Sequence, residues 1–171
     1  MNAARDAPNT TDAGLRSFSR SLPMALMRAR EAVMGEFRPL LAEHGLSEQQ
    51  WRVLRALTEA AEPMLVGDLA TGTNILGPSL SRMLVSLEER ALVRRSPVAG
   101  DRRRSTVRLT PAGRSLVRRI GPLSEQRYAA IEARFGADRL RMLEDLLAEL
   151  SQIDGRRSGE GTRQTLGGDS E

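Results

Sequence analysis

The stretch that most constrains the fold runs from Pro78 to Gly113. Leu80, Leu84 and Leu87 fall at i, i+4 and i+7, one stripe of a short helix predicted from Pro78 to Arg90. Pro78 suits the first helical position, where its missing amide would have been unpaired anyway. Upstream, the segment from Thr71 to Gly77 interrupts a shorter pattern with Val66, Leu69 and Ala70 inward, so two short helices separated by a turn are predicted. Downstream, residues 93–96 and 105–109 flank Pro97, Gly100 and Asp101, and the second flank alternates Val107 and Leu109 against Thr106 and Arg108, the pattern of a two-stranded hairpin. Thr110-Pro111 then opens another helix. The fold class that follows is mainly α with a small β-hairpin, a winged helix-turn-helix.

The remaining elements are helical. A first helix is predicted from Ser19 to His44, with Leu22, Leu26, Val33, Phe37, Leu40 and Leu41 on one arc and Gly45 as its stop. Ser47-Glu48-Gln49-Gln50 reads as a capping box that starts a second helix through Trp51, Leu54 and Leu57 to about Ala60. After Pro111 the pattern continues through Leu116, Val117 and Ile120 toward Phe135, and Gly121-Pro122 is expected to kink or break it. A last helix, about Asp138 to Ile153, carries more apolar positions than a single neighbour could cover, which predicts a partner subunit. Residues 1–18 and 154–171 are polar and predicted to be disordered tails around one domain at 19–153. Within it, 47–109 holds the two short helices and the hairpin, framed by the longer helices over 19–44 and 111–153.

Charge points to the partner. Between Arg90 and Ile120 stand ten arginines and one acid, Asp101, a net +9 in a chain of formal charge +4, so the remainder carries −5. An excess this local is the electrostatic footprint of a polyanion, whereas a merely solvated face would intersperse acids. Without cysteine and with one histidine, His44, the chain offers no disulfide, thiolate or multi-histidine metal site. It also has no Gly-rich phosphate loop and no clustered carboxylates, so neither an enzyme nor a cofactor is expected. No apolar run approaches the roughly 18 residues of a membrane span, and the start of the chain has no signal-peptide core, so a cytoplasmic location is expected.

On the second helix of the pair, the residues opposite the leucine stripe are Ser79, Arg82, Ser86 and Glu89, with Ser81 at the margin. Arg82 suits a bidentate contact to guanine, which requires two parallel donors. Ser79 and Ser81, beside Pro78 at the N-terminal end, stand where hydroxyls and free amides bind phosphate; Pro78 is counted with them among the residues facing DNA. The hairpin tip Asp101-Arg102-Arg103-Arg104 suits a wing entering the minor groove. Asp101 either orients Arg103 through a bidentate pair or forms the turn. The bland alternative for the helix is an amphipathic surface element, but the basic hairpin directly behind it argues for DNA. A winged helix used only for protein interaction predicts a wing poor in arginine.

Arg30 lies within the apolar arc of the first helix, and a guanidinium buried there needs an anion. That anion could be an acid on another helix or subunit, or the carboxylate of a bound effector, for which Met27, Met34, His44 and Trp51 could supply walls. Each of these alone is more often core, and His44 also suits a helix C-terminus.

The order of elements, the D-x-R wing at Asp101 and Arg103, and the L-T-x-x-G exit at Leu109, Thr110 and Gly113 resemble the MarR family of bacterial transcription regulators over about 19–153. Ala29-Arg30-Glu31-Ala32 with Phe37-Arg38-Pro39, Leu46 to Arg52, and Leu76-Gly77-Pro78-Ser79-Leu80 are similar to the branch that regulates homoprotocatechuate degradation. The resemblance implies an intertwined six-helix homodimer on double-stranded DNA with a pseudo-palindromic operator. It further implies a repressor released by a small aromatic or phenolic acid.

Overall fold

The computed structural model describes residues 14–15 and 17–153. The tail expected over 154–171, and most of that over 1–18, lies outside them. The order is a 3₁₀ turn (Phe18–Arg20), α1 (Leu22–Glu43), α2 (Glu48–Glu59), β1 (Met64–Leu65), α3 (Val66–Thr73), α4 (Gly77–Glu89), β2 (Val93–Val98), β3 (Asp101–Leu109), α5 (Pro111–Phe135) and α6 (Ala137–Ser151). Two compact units divide after Ala129, within α5.

In the first unit, α1 ends where Gly45 takes φ +63°. The capping box forms as the sequence indicates: Ser47 Oγ accepts from the Gln50 amide at 3.1 Å and Gln50 Oε1 from the Ser47 amide at 3.0 Å. One face of α2 then goes inward, with Trp51, Val53, Leu54 and Leu57 buried. α3 is longer than expected, because the turn shrinks to Asn74, Ile75 and Leu76. Asn74 reverses the chain in the left-handed region at φ 51°, and Ile75 is buried. Thr73 is also buried, its hydroxyl donating to the Leu69 carbonyl at 2.6 Å. Leu80, Leu84 and Leu87 of α4 have no exposed surface.

The hairpin pairs further toward its tip than the sequence indicates, and its sheet has a third strand. The order is β1-β3-β2, antiparallel, with Met64 opposite Val107 and Val93 opposite Leu109. Pro97 is tolerated because β2 is an edge strand, irregular between Pro97 and Val98. Two residues of β1 are too few to produce a period.

A tight corner joins wing to α5. Thr110 donates from its hydroxyl to the Ala91 carbonyl at 2.6 Å and accepts from the Gly113 amide at 3.0 Å. A Cβ at Gly113 would stand 2.0 Å from the Leu92 carbonyl oxygen, so only glycine fits. This contact gives the L-T-x-x-G spacing its physical reason. The expected break at Gly121-Pro122 does not occur, and α5 continues to Phe135. The Arg118 carbonyl, deprived of its partner by Pro122, lies on an exposed residue where water can serve it.

The apolar arc of α1 is covered only toward its C-terminus. Phe37, Leu40 and Leu41 are buried, while Leu22 is 51%, Leu26 38% and Val33 40% exposed. In the second unit, α6 buries no residue, and Met142, Leu143, Leu146 and Leu147 are all exposed.

Candidate nucleic-acid interface

Burying Leu80, Leu84 and Leu87 fixes the rotation of α4. Pro78, Ser81 and Arg82 are thereby exposed, and Ser79 and Ser86 half-buried. Val85, 43% exposed, shares this outward face, although the sequence reading passes over it. The wheel position alone suffices to find it, since 85 follows 78, 81 and 82 on one face. An exposed methyl-bearing side chain there can meet a thymine methyl. Leu76, just before α4, is 80% exposed.

The wing is held against α4 by Glu88. Its carboxylate accepts from the Arg95 amide at 2.8 Å and from Arg95 Nε at 2.5 Å, which fixes the start of the hairpin relative to the helix. At the tip, Gly100 takes φ +80° and Asp101 Oδ1 accepts from the Arg103 backbone amide at 2.9 Å. This is the turn-forming use of Asp101; the bidentate side-chain pair does not form. The turn needs only the amide two residues on, and making it leaves the exposed Arg103 guanidinium to extend outward. Arg103 and Arg104, with Arg95, Ser96, Pro97 and Ser105, surround a recess of about 250 Å³. The Arg102 side chain lies outside the described residues.

Not every arginine of the basic stretch faces outward for a ligand. Arg95 is tied to Glu88, Arg114 donates to the Leu109 carbonyl at 2.9 Å, and Arg90 donates to the Gly45 carbonyl at 2.8 Å. Sequence counting weighs these structural cations equally with Arg82 and Arg103.

The effector candidates are placed apart. Arg30 is not buried; its side chain is 48% exposed and it pairs with Glu31 at 2.8 Å and with Glu48 of α2 at 2.5 Å. The arc of α1 that contains it is uncovered at this level, so no burial cost arises within the chain. Arg38 completes the cluster, bonding Glu31 at 2.6 Å and also Glu48. Its hydrogen bond holds the Glu31 carboxyl below the usual carboxylate range, and Glu31 in turn raises Arg38. Arg30, Arg38 and Glu48 line a cavity of about 460 Å³ with Leu41, Ala42 and Leu46. Met27, Met34, His44 and Trp51 do not line it: Met27 is 58% exposed, Met34 half-buried, and Trp51 buried with Arg55 5.9 Å from its ring centre. His44 Nδ1 lies 3.0 Å from the Leu40 carbonyl. Arg38 and Glu48 are not legible as site residues in the sequence, because their pairing depends on how α1 and α2 cross.

A helix-turn-helix with its reading helix outward, backed by an arginine-bearing wing, defines a winged-helix DNA-binding protein. A model of the MarR family matches residues 44–104. The homoprotocatechuate degradative operon repressor of Escherichia coli is 38% identical over 151 residues, 88% of this chain and 98% of its own. The crystal structure of NadR in complex with 4-hydroxyphenylacetate is 40% identical and superposes with a TM-score of 0.70 over 82% of this chain and 99% of that one. The transcriptional repressor CouR bound to a 23-mer DNA duplex is 32% identical, with a TM-score of 0.71 over 78% of this chain and 94% of that one. The chain belongs to the MarR family.

Proposed function

We propose that this chain is a transcriptional repressor of a catabolic operon, bound to its operator as a homodimer and released by a small aromatic carboxylate. The observation that carries the DNA half is the rotation of α4: with Leu80, Leu84 and Leu87 fully buried, Arg82, Ser81 and Val85 are the residues offered to a major groove. Pro78, Ser79 and Ser86 flank them, and Asp101, Arg102, Arg103 and Arg104 supply the minor-groove probe. A duplex complex of CouR and the operon repressor of Escherichia coli support this reading.

The homodimer is supported by what a single chain leaves open, the apolar arc of α1 and the stripe on α6. In this reading 19–44 and 111–153 dimerise and 47–109 is the DNA-binding lobe. Two lobes related by a twofold axis match a pseudo-palindrome. The likeness to a degradative operon repressor supports action on DNA in the cytoplasm, as a regulator and not an enzyme.

The effector half rests on Arg30 at the α1–α2 junction, with Met27, Met34, His44 and Trp51 as residues that dimerisation would bring into play. Arg90 extends the path, since it joins the end of α4 to the turn between α1 and α2. NadR, whose complex contains 4-hydroxyphenylacetate, supports a phenolic acid as the ligand class. The test is titration of a duplex from the upstream region of the chain's own gene, with and without 4-hydroxyphenylacetate. Specific binding relieved by the acid, with relief abolished in Arg30→Ala, is expected. A duplex left unbound at low salt overturns the DNA reading, and bound duplex indifferent to aromatic acids overturns the effector reading.

A further inference from the structure

We propose that Arg30 and Arg38 form a two-armed seat for a small carboxylate, occupied in the free protein by the chain's own Glu48, and that an anionic ligand binds by displacing it. The inference rests on the effector reading and adds how the anion is received.

Glu48 shows that the seat fits one carboxylate: Oε2 accepts from Arg30 Nη2 at 2.5 Å, while Oε1 accepts from Arg38 Nε. Glu31 closes the ring from the other side, with Oε1 on Arg30 at 2.8 Å and Oε2 on Arg38 at 2.6 Å. Each guanidinium therefore divides its donors between two carboxylates, and the four charges sum to zero. The two acids are not equivalent. The Glu48 side chain is 16% exposed against 50% for Glu31, so Glu48 fills the inner position.

Three features make Glu48 the replaceable member. It borders the cavity of about 460 Å³, whose Leu41, Ala42 and Leu46 give an apolar body something to contact, and Glu31 does not. This volume is in the range of about 300–1,000 Å³ usual for small-ligand sites. Glu48 also stands in the first turn of α2, where the positive end of the helix favours a carboxylate in whatever rotamer it adopts after release. Finally, the α2 cap uses Ser47 and Gln50, so displacement leaves the helix start intact. A ligand carboxylate would inherit both arginines, whose planar forks suit it better than a lysine would.

Calorimetry on the full chain without DNA tests this, with phenylacetate as probe and phenylacetamide as its neutral counterpart. Phenylacetate should bind Glu48→Gln about tenfold more tightly than the unaltered protein and Arg38→Gln about tenfold more weakly, the factor set by one charge-assisted hydrogen bond. Phenylacetamide should gain nothing from Glu48→Gln. Equal gains for both probes, unchanged affinities in both variants, or no phenylacetate binding to Glu48→Gln at millimolar concentration overturns the proposal. A measurement free of substitutions accompanies it: the Arg38 Nε–H resonance should move on saturation with phenylacetate and stay with phenylacetamide, and an unmoved resonance overturns the seat. Operator release is read separately. Release with unchanged variant affinities removes the seat and leaves the effector reading, whereas variant effects without release keep the seat as an anion site and remove the effector reading.

Discussion

Arg90, the residue that caps α4, donates from Nη1 to the Gly45 carbonyl at 2.8 Å and from Nη2 to the His44 carbonyl at 3.3 Å. These carbonyls follow the last turn of α1, so the cation lies at the negative end of that helix. Replacing Arg90 by Met should lower stability by roughly 1 kcal/mol, less than the ~1.5–3 kcal/mol of a buried hydrogen bond to a charged group because Arg90 is exposed, as read by urea unfolding. Because the same interaction joins α4 to the α1–α2 turn, the variant should bind operator DNA yet respond less to the effector. An unaltered response would remove Arg90 from the coupling.

Gly113 admits no side chain, since its Cβ would meet the Leu92 carbonyl oxygen at 2.0 Å. Gly113→Ala should cost about 3 kcal/mol through overpacking and displace the wing from α5. Thermal unfolding measures the cost, and failure to bind operator should accompany it.

Ser124 is fully buried, and its hydroxyl has no hydrogen-bond partner among the described residues. Removing an unpaired buried hydroxyl relieves its desolvation, so Ser124→Ala should be neutral or stabilising by about 1 kcal/mol. Destabilisation in the same unfolding assay would mean that the hydroxyl is bonded in solution.

Glu31 titrates below its ordinary value of 4.5 because Arg38, and then Arg30, hydrogen-bond and attract its charged form. A carboxyl depressed on folding contributes stability that is fully present above the unfolded value and is lost as pH falls through the folded one. The melting temperature of the wild type should therefore fall faster below about pH 4.5 than that of Glu31→Gln. Parallel curves would show that the ring of ion pairs is open in solution.

What the sequence discloses is what local chemistry determines. The capping box needs only Ser47 and Gln50, three residues apart, and the corner at Thr110 only a hydroxyl followed by proline. The stripe of Leu80, Leu84 and Leu87 is visible because burial on one helix face has a period. Features that depend on two elements meeting stay hidden. Met64 and Leu65 form a strand because Val107 and Thr106 lie beside them, and Glu48 reaches Arg30 and Arg38 because α2 starts beside α1. Arg30 stands in an apolar arc by spacing, yet half its side chain is exposed because that arc has no cover within one chain. Asp101 has two partners at the right separation in sequence, and only the hairpin geometry selects the amide of Arg103.

Arg82 and Arg103 should fail differently. Arg82→Ala should cost about 1–3 kcal/mol on the operator and relax the preference at one base pair per half-site, as removal of a base-reading side chain does. Arg103→Ala should weaken binding across sequences more evenly and reduce the slope of log K against log salt by about 0.9 for each phosphate left without its cation. Anisotropy titrations at several salt concentrations separate the two.

Two outward-facing α4 helices and two wings should read one duplex together. Hydroxyl-radical and methylation footprinting on the upstream region of the gene makes this visible. Two protected major-groove patches about one helical turn, roughly 34–36 Å, apart should appear, each flanked by minor-groove protection from the wing, and in Arg82→Ala all should need roughly 5–150 times more protein. A single patch, uniform protection without spacing, or an unchanged protein requirement in Arg82→Ala would contradict it.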